Sequence, residues 1–340
     1  MASKAASAPS KRPIPFSIRL KAWWEGYDPE HLMPHQDAAT ASTPSRQDHT
    51  PPDDIDVALQ ETPLQGVDAT SIDPWNEQRI DIAQLIWGRG YCGPGGPEYI
   101  IAMSKLLAMT PELSMLHLGA GLGGPARTLA EHFGVWVTGL EPSQSLAQAG
   151  NHLSTMAGMI KKAPVQQLDL TQENPLIRRY DRVLVDGYLA QRPNKAEALA
   201  MIDAALKPEG LVLITDYFLV DDGSVANADY RDWLQGEPRQ LNLVTAPEFV
   251  EAATKAGLGV RVNEDRTEEH IDLIKKAWAG ADKLVADLLQ QQGQEHLTKI
   301  VLKEAELWSK RVKVLTGGQL QFRRILAAKK EKGVKMMSNW

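Results

Sequence analysis

From Met115 onward the chain repeats one unit, a short apolar run followed by a stretch with helical spacing. The runs are Met115–Leu118, Val135–Leu140, Val165–Leu168, Arg182–Val185 and Leu211–Thr215. Between them lie the helical segments Pro125–His132, Ser143–Ala157, Asn174–Arg179 and Lys195–Leu206. A strand that is apolar along its whole length needs cover on both faces, and strand–helix–strand order sets successive strands parallel. The spacing therefore predicts an α/β domain with a central sheet. A further helix is predicted over Thr245–Ala256, a sixth strand over Leu258–Asn263 and two long helices over Glu268–Leu315. A seventh strand, Gln319–Ala327, closes the pattern.

Upstream of this pattern, residues 1–70 read as a disordered or extended region rich in Ala, Ser, Pro, Thr, Gln and Asp. It carries a short amphipathic segment, 16–27, with an aromatic Trp23-Trp24 pair suited to docking on the domain, a partner or a membrane surface. Order is expected from about residue 71, with a helical face over Trp75–Ile86 and a helix over Glu98–Met109. The ordered domain should run to about residue 330, leaving 331–340 as a basic tail.

The net charge of -6 argues against a general nucleic-acid binder, which needs a concentrated basic surface. No run of about 18 apolar residues suggests a membrane span. One cysteine, Cys92, excludes an intrachain disulfide and a cysteine-based zinc site and fits a reducing cytoplasm. Oligomeric state leaves no mark in the sequence.

The strongest motif follows the first strand: His117-Leu-Gly119-Ala-Gly121-Leu-Gly123-Gly124-Pro-Ala-Arg127. Glycines at such a strand-to-helix turn let the backbone approach a ligand where a Cβ would clash. Gly119, Gly121 and Gly124 also fit the dinucleotide fingerprint, so NAD is a competing reading. Two carboxylates discriminate. Glu141 ends the second strand, where it can accept hydrogen bonds from both ribose hydroxyls, and Asp169 sits just past the third, placed for an adenine amine. Three ligating strand ends in order, with a terminal strand after a helical insert, favour S-adenosylmethionine (SAM).

Three segments carry a resemblance to a known family: Trp87-Gly-Arg-Gly-Tyr-Cys-Gly-Pro-Gly-Gly96, Gly119-Ala-Gly-Leu-Gly-Gly124 and Leu213-Ile-Thr-Asp-Tyr217. Together they resemble the phosphoethanolamine N-methyltransferases, in a wider class I SAM-dependent group that includes sarcosine/dimethylglycine methyltransferases and cyclopropane fatty-acid synthases. The resemblance runs from about Trp75 to Lys329. It implies a doubly wound, seven-stranded, mostly parallel Rossmann-like sheet with a helical lid insert between strands six and seven. It also implies SAM contacts at Cys92, Gly93, Gly119, Gly121, Glu141, Pro142, Asp169, Leu170 and Asp186, a phosphobase-binding tyrosine at Tyr217 and a phosphate-binding arginine at Arg239.

The departures matter as much. The family's tyrosine–histidine pair, which locks the site and helps deprotonate the amine, falls on Trp75 and Ala190, neither of which takes a proton. A second phosphate-binding tyrosine falls on Leu241, and His117 stands where an aspartate is usual. Trp75 could instead offer a ring face to a cationic amine or sulfonium. The reading is a SAM-dependent methyltransferase of a small molecule or lipid precursor other than phosphoethanolamine, with no catalytic residue assigned. The alternative is a SAM-binding regulatory or scaffold protein that has lost catalysis. The histidines other than His117, His270 among them, read as surface or packing residues, and His117 as a satisfied core histidine or a neighbour of the methionine moiety.

Overall fold

In the computed structural model, residues 73–169, 178–290 and 295–330 are described. The readings for residues 1–70, for the segment 16–27, for Leu170 and for the tail 331–340 lie outside them. Five parallel strands lead the sheet: β1 (Ser114–Leu118), β2 (Trp136–Glu141), β3 (Val165–Gln167), β4 (Tyr180–Asp186) and β5 (Leu206–Leu219). β6 (Leu258–Asp265) and β7 (Leu320–Lys329) complete the order β3-β2-β1-β4-β5-β7-β6. β7 is antiparallel to both of its neighbours, with Asp216 opposite Arg323 and Val260 opposite Ala327.

The helices named in chain order are α1 (Glu77–Trp87), α2 (Gly96–Ser104), α3 (Gly124–Phe133), α4 (Gln144–Met156) and α5 (Lys195–Ala205). They continue as α6 (Ala228–Gly236), α7 (Ala246–Lys255), α8 (Thr267–Trp278), α9 (Ala281–Gln290) and α10 (Glu295–Thr316). Strand alternation divides the core into two layers. Leu116, Leu118, Val183, Val185, Val212 and Ile214 face α5 and α7, meeting Leu199, Ile202 and Phe249. Met115, Leu184 and Leu213 face the other way, onto Leu107, Leu129 and Met103. Full burial of one such side chain is worth about 1.5–3 kcal/mol.

Helix starts follow from their caps. Ser143 accepts from Leu146 N at 3.1 Å to begin α4, and Thr245 with Glu248 forms a reciprocal capping box at α7. β5 is longer than Leu211–Thr215 because Leu206 already pairs with Tyr180 before a register shift. Residues 207–210 stand out of the ladder there, with Glu209 at φ 60. The insert between β6 and β7 is broken at Ala279-Gly280, and its described helices continue over Ala281–Gln290 and Glu295–Thr316 on either side of residues outside the description. Of the predicted helix Asn174–Arg179, Arg178 and Arg179 are not helical and the rest lies outside the described residues. α6 was not anticipated; Asn227 caps it, accepting from Asp229 N and Tyr230 N, and Trp233 buries its inner face completely.

Candidate active site

A cleft of about 280 Å³ opens across the carboxyl ends of β1, β2, β4 and β5, the edge at which open α/β sheets bind ligands. The turn after β1 forms its floor. Gly119 has φ +76, and a Cβ there would stand 2.3 Å from the Asp186 carbonyl oxygen, so no side chain fits. Gly121, at φ +53, turns its N–H to Glu141 Oε2 at 2.9 Å. The glycine-rich loop 88–95 docks on α3 through Gly124 N to Gly90 O at 2.8 Å, which sets Cys92 over Gly121. Burial pushes the Cys92 thiol up to about 12, helped by the nearby Glu141 carboxylate, so it stays neutral.

Glu141 is 3% exposed. Its Oε1 accepts from Ser143 N at 2.9 Å and lies 3.6 Å from Arg239 Nη2. Burial raises its carboxyl above the ordinary value, a rise that Arg239 and the Ser143 and Gly121 N–H groups reduce without cancelling. Asp186, ending β4, accepts from Thr215 Oγ1 at 3.0 Å, and burial raises it to about 6. Of the residues read from sequence, Trp75, Cys92, Gly93, Gly119, Gly121, Glu141, Pro142, Asp186, Tyr217 and Arg239 all line this one cleft. Asp169 is exposed two residues past β3 and is not among the lining residues described.

The other half of the cleft is built by β5, α6 and the insert. Trp75, Trp233, Leu241, Leu307, Trp308 and Phe322 supply apolar wall. Ala190, 5% exposed, donates its N–H to Asp216 Oδ2 at 2.9 Å, and burial raises Asp216 to about 6. Lys195 holds the Ala190 turn in place by donating to Leu189 O at 2.8 Å and to Asn242 O at 2.5 Å.

Sequence reading missed a pair here. Tyr217 hydroxyl lies 2.6 Å from His270 Nε2, and both residues line the cleft. His270 stacks on Phe322 with ring centroids 3.8 Å apart. Burial, with the charge of Arg311, pushes the imidazole down to about 3, so it is neutral. Burial also pushes the Tyr217 phenol above its ordinary value, against the pull of Arg311. His270 is therefore neither a surface residue nor a plain packing residue. His117, by contrast, is fully buried but unsatisfied: neither ring nitrogen has a hydrogen-bond partner among the described residues.

Each guanidinium among the described residues of the cleft wall has a carboxylate partner. Arg79 meets Glu304 at 2.6 Å, Arg311 pairs with Glu237 (Nε to Oε1 3.0 Å), and Arg239 faces Glu141. Asp186 and Asp216 are acids beyond these pairs, so the described residues of the cleft wall carry more acids than bases. Among the described residues no His/Cys/Asp/Glu group is arranged to hold a metal, and no helix is long and apolar enough to cross a membrane.

Strand order, the antiparallel last strand and a cleft between glycine turn and strand-end carboxylate define the architecture of the class I SAM-dependent methyltransferases, which this chain resembles. A family described as methyltransferase domain matches residues 98–261. Phosphoethanolamine N-methyltransferase 1 of Zea mays is 24% identical over 218 residues, which is 64% of this chain and 42% of the maize protein. Phosphoethanolamine N-methyltransferase 2 of Caenorhabditis elegans is 32% identical over 145 residues, 41% of this chain and 32% of that protein. The solved structure of Haemonchus contortus phosphoethanolamine N-methyltransferase 2 with S-adenosyl-L-methionine superposes with a TM-score of 0.63 at 20% identity, covering 74% of this chain and 57% of that one. The chain thus spans less than half the length of these two curated relatives.

Proposed function

We propose that the chain is a SAM-dependent methyltransferase acting on a small molecule or lipid precursor that carries no phosphate. The residues present fit the cofactor. Gly119 and Gly121 form a cradle that side chains would fill, Glu141 offers a buried acceptor for a ribose diol, and the surplus of carboxylates suits a ligand with net positive charge. When bound, SAM supplies an electrophilic methyl group.

The observation that carries the acceptor reading is the pairing of Arg79, Arg239 and Arg311 with Glu304, Glu141 and Glu237. A phosphomonoester dianion is gripped by cations free to give it charge-assisted hydrogen bonds. Here each cation is already answered, and the surrounding wall is Trp, Leu and Phe.

Tyr217 and His270 would orient the acceptor rather than store its proton. The Tyr217 Oη, 2.6 Å from His270 Nε2, would accept a hydrogen bond from the acceptor's own O–H or N–H and aim its lone pair towards the methyl group that bound SAM would supply. Burial and Arg311 keep the imidazole neutral, so its part is to fix the direction of the Tyr217 hydroxyl.

The test is calorimetry of the full chain with SAM, S-adenosylhomocysteine and NAD, followed by methyl transfer to phosphoethanolamine and to uncharged phenols and amphiphiles. Glu141→Ala should weaken SAM binding about tenfold to a hundredfold, the worth of one charge-assisted hydrogen bond. NAD binding without SAM binding, or robust turnover of phosphoethanolamine, defeats the reading.

A further inference from the structure

A carboxylate that serves a ribose diol has to remain ionised, because a protonated acid gives up the charge that strengthens both bonds. Glu141 is buried to 3% exposure, an environment that drives it towards the neutral acid. The groups facing it therefore decide its state. From its own strand end and from the glycine turn come two backbone donors, Ser143 N and Gly121 N, each at 2.9 Å. From the loop 88–95 comes the neutral Cys92 thiol, and from the turn after β4 the Tyr188 phenol, which burial pushes up. Asp73 stands on the far side of Ser143, accepting from its Oγ at 2.7 Å. Asp186 is the carboxylate at the next strand end. Arg239, in the segment between α6 and α7, supplies the positive charge, with Nη2 3.6 Å from Oε1.

The guanidinium does not reach Glu141 by chance of rotamer. Its Nη1 donates to Gln191 Oε1 at 2.9 Å, and Gln191 Nε2 in turn donates to Gly187 O at 2.8 Å, next to Asp186. A chain of three side-chain contacts thus ties the end of β4 to the end of β2 across the cleft. We infer that Arg239 is a positioning residue of the cofactor subsite, holding Glu141 as a carboxylate aimed at a ribose diol. That role differs from the anion grip that family resemblance implies, and it rests on the SAM reading of the cleft.

S-adenosylhomocysteine is the probe, since it carries the same ribose and has no methyl to transfer. Its affinity for the whole chain is measured by calorimetry from about pH 5.5 to about pH 8.5, between the ordinary carboxylate and amine ranges. Arg239→Ala should bind about tenfold more weakly near neutrality. The pH at which its affinity falls away on acidification should lie about one unit or more above that of the wild type, because an opposite charge at this range lowers a carboxyl by about one to three units. Arg239→Lys should restore most of both effects. Asp186 titrates within the same window, but burial and Thr215 set it, so its contribution is common to every protein compared. Cys92 titrates outside the window.

In the Glu141→Gln background, Arg239→Ala should cost no further affinity and shift nothing. Arg239→Ala with the wild-type pH profile overturns the inference, as does an added loss in the Glu141→Gln background. A wild-type protein that does not bind S-adenosylhomocysteine at all overturns the cofactor reading on which the inference stands, and the two failures are told apart by that control.

Discussion

His117 sits next to the last residue of β1 with 0% exposure, and both its ring nitrogens lack a partner among the described residues. Burial alone pushes it down to about 4. In the unfolded chain the same side chain titrates near its ordinary value of about 6.5. Between those two values the unfolded state binds a proton that the folded state refuses, so stability falls as pH drops through this window. His117→Leu removes the unpaired nitrogens and the titration together. The variant should match or exceed the wild type near pH 7, since an unsatisfied buried polar group costs about 1–3 kcal/mol. Its advantage should grow by about 2 kcal/mol on acidification from about pH 6.5 to about pH 5. Urea denaturation at several pH values reads this directly, and parallel pH curves for the two proteins would show that His117 is solvated or paired. A second residue-scale expectation concerns Trp75 and Ala190. Trp75→Tyr with Ala190→His recreates the missing pair but leaves Arg79, Arg239 and Arg311 ion-paired, so methyl transfer to phosphoethanolamine should stay at background. Clear turnover by the double variant would mean that the pair alone had been limiting.

At the scale of elements, α4 shows how the cleft is held together. Asp73 Oδ2 accepts from Ser145 N at 3.0 Å and from Ser143 Oγ at 2.7 Å, placing a carboxylate at the positive end of the helix. Burial raises the Asp73 carboxyl, but the Ser145 N–H, the Ser143 hydroxyl and the Trp75 N–H outweigh it and leave it below its ordinary value. Its stabilisation is therefore complete above the unfolded carboxylate range and is lost as pH falls through the folded value. Asp73→Ala should destabilise by about 1 kcal/mol. It should also weaken S-adenosylhomocysteine, because Ser143 N is a ligand of Glu141. An unchanged melting temperature would sever this link. The seven strands and the glycine turn could be read from sequence because each is local: an apolar run, then a turn that excludes side chains. α6 was missed because Tyr230 and Trp233 become an apolar face only against α10, where Lys310 and Lys313 pair with Asp232 and Asp229. His270 was missed for the same kind of reason. It follows Glu268 and Glu269 in a strongly charged stretch, and nothing nearby in sequence signals a tyrosine 53 positions away at 2.6 Å.

Across the whole molecule, the question is where an independently stable unit begins. The described core closes on itself: α1 packs Ile82 and Ala83 inward, and Trp87 meets the rings of Trp278 and Trp308 at 6.2 and 4.6 Å. This joins the first described helix to the insert before β7, and every described cleft-lining residue lies between Trp75 and Phe322. Residues 1–70 hold few periodic apolar side chains from which to build a share of that core. Removing them should leave the melting temperature within about 2 °C, the scale of a change of about 0.5 kcal/mol in a domain of this size. The affinity for S-adenosylhomocysteine should also be kept. Extending the deletion through Trp87 takes away Asp73, the Trp75–Arg79 stack at 4.3 Å and both ring contacts of Trp87 with the insert at once. Large buried side chains lost in this way cost about 3–5 kcal/mol each, comparable to a domain's whole margin of stability. The longer deletion should therefore fail to fold while the shorter one folds and binds. If the shorter protein is already insoluble or loses the ligand, residues 1–70 contribute to the core or to the cleft, and the boundary of the folded unit moves towards the amino terminus.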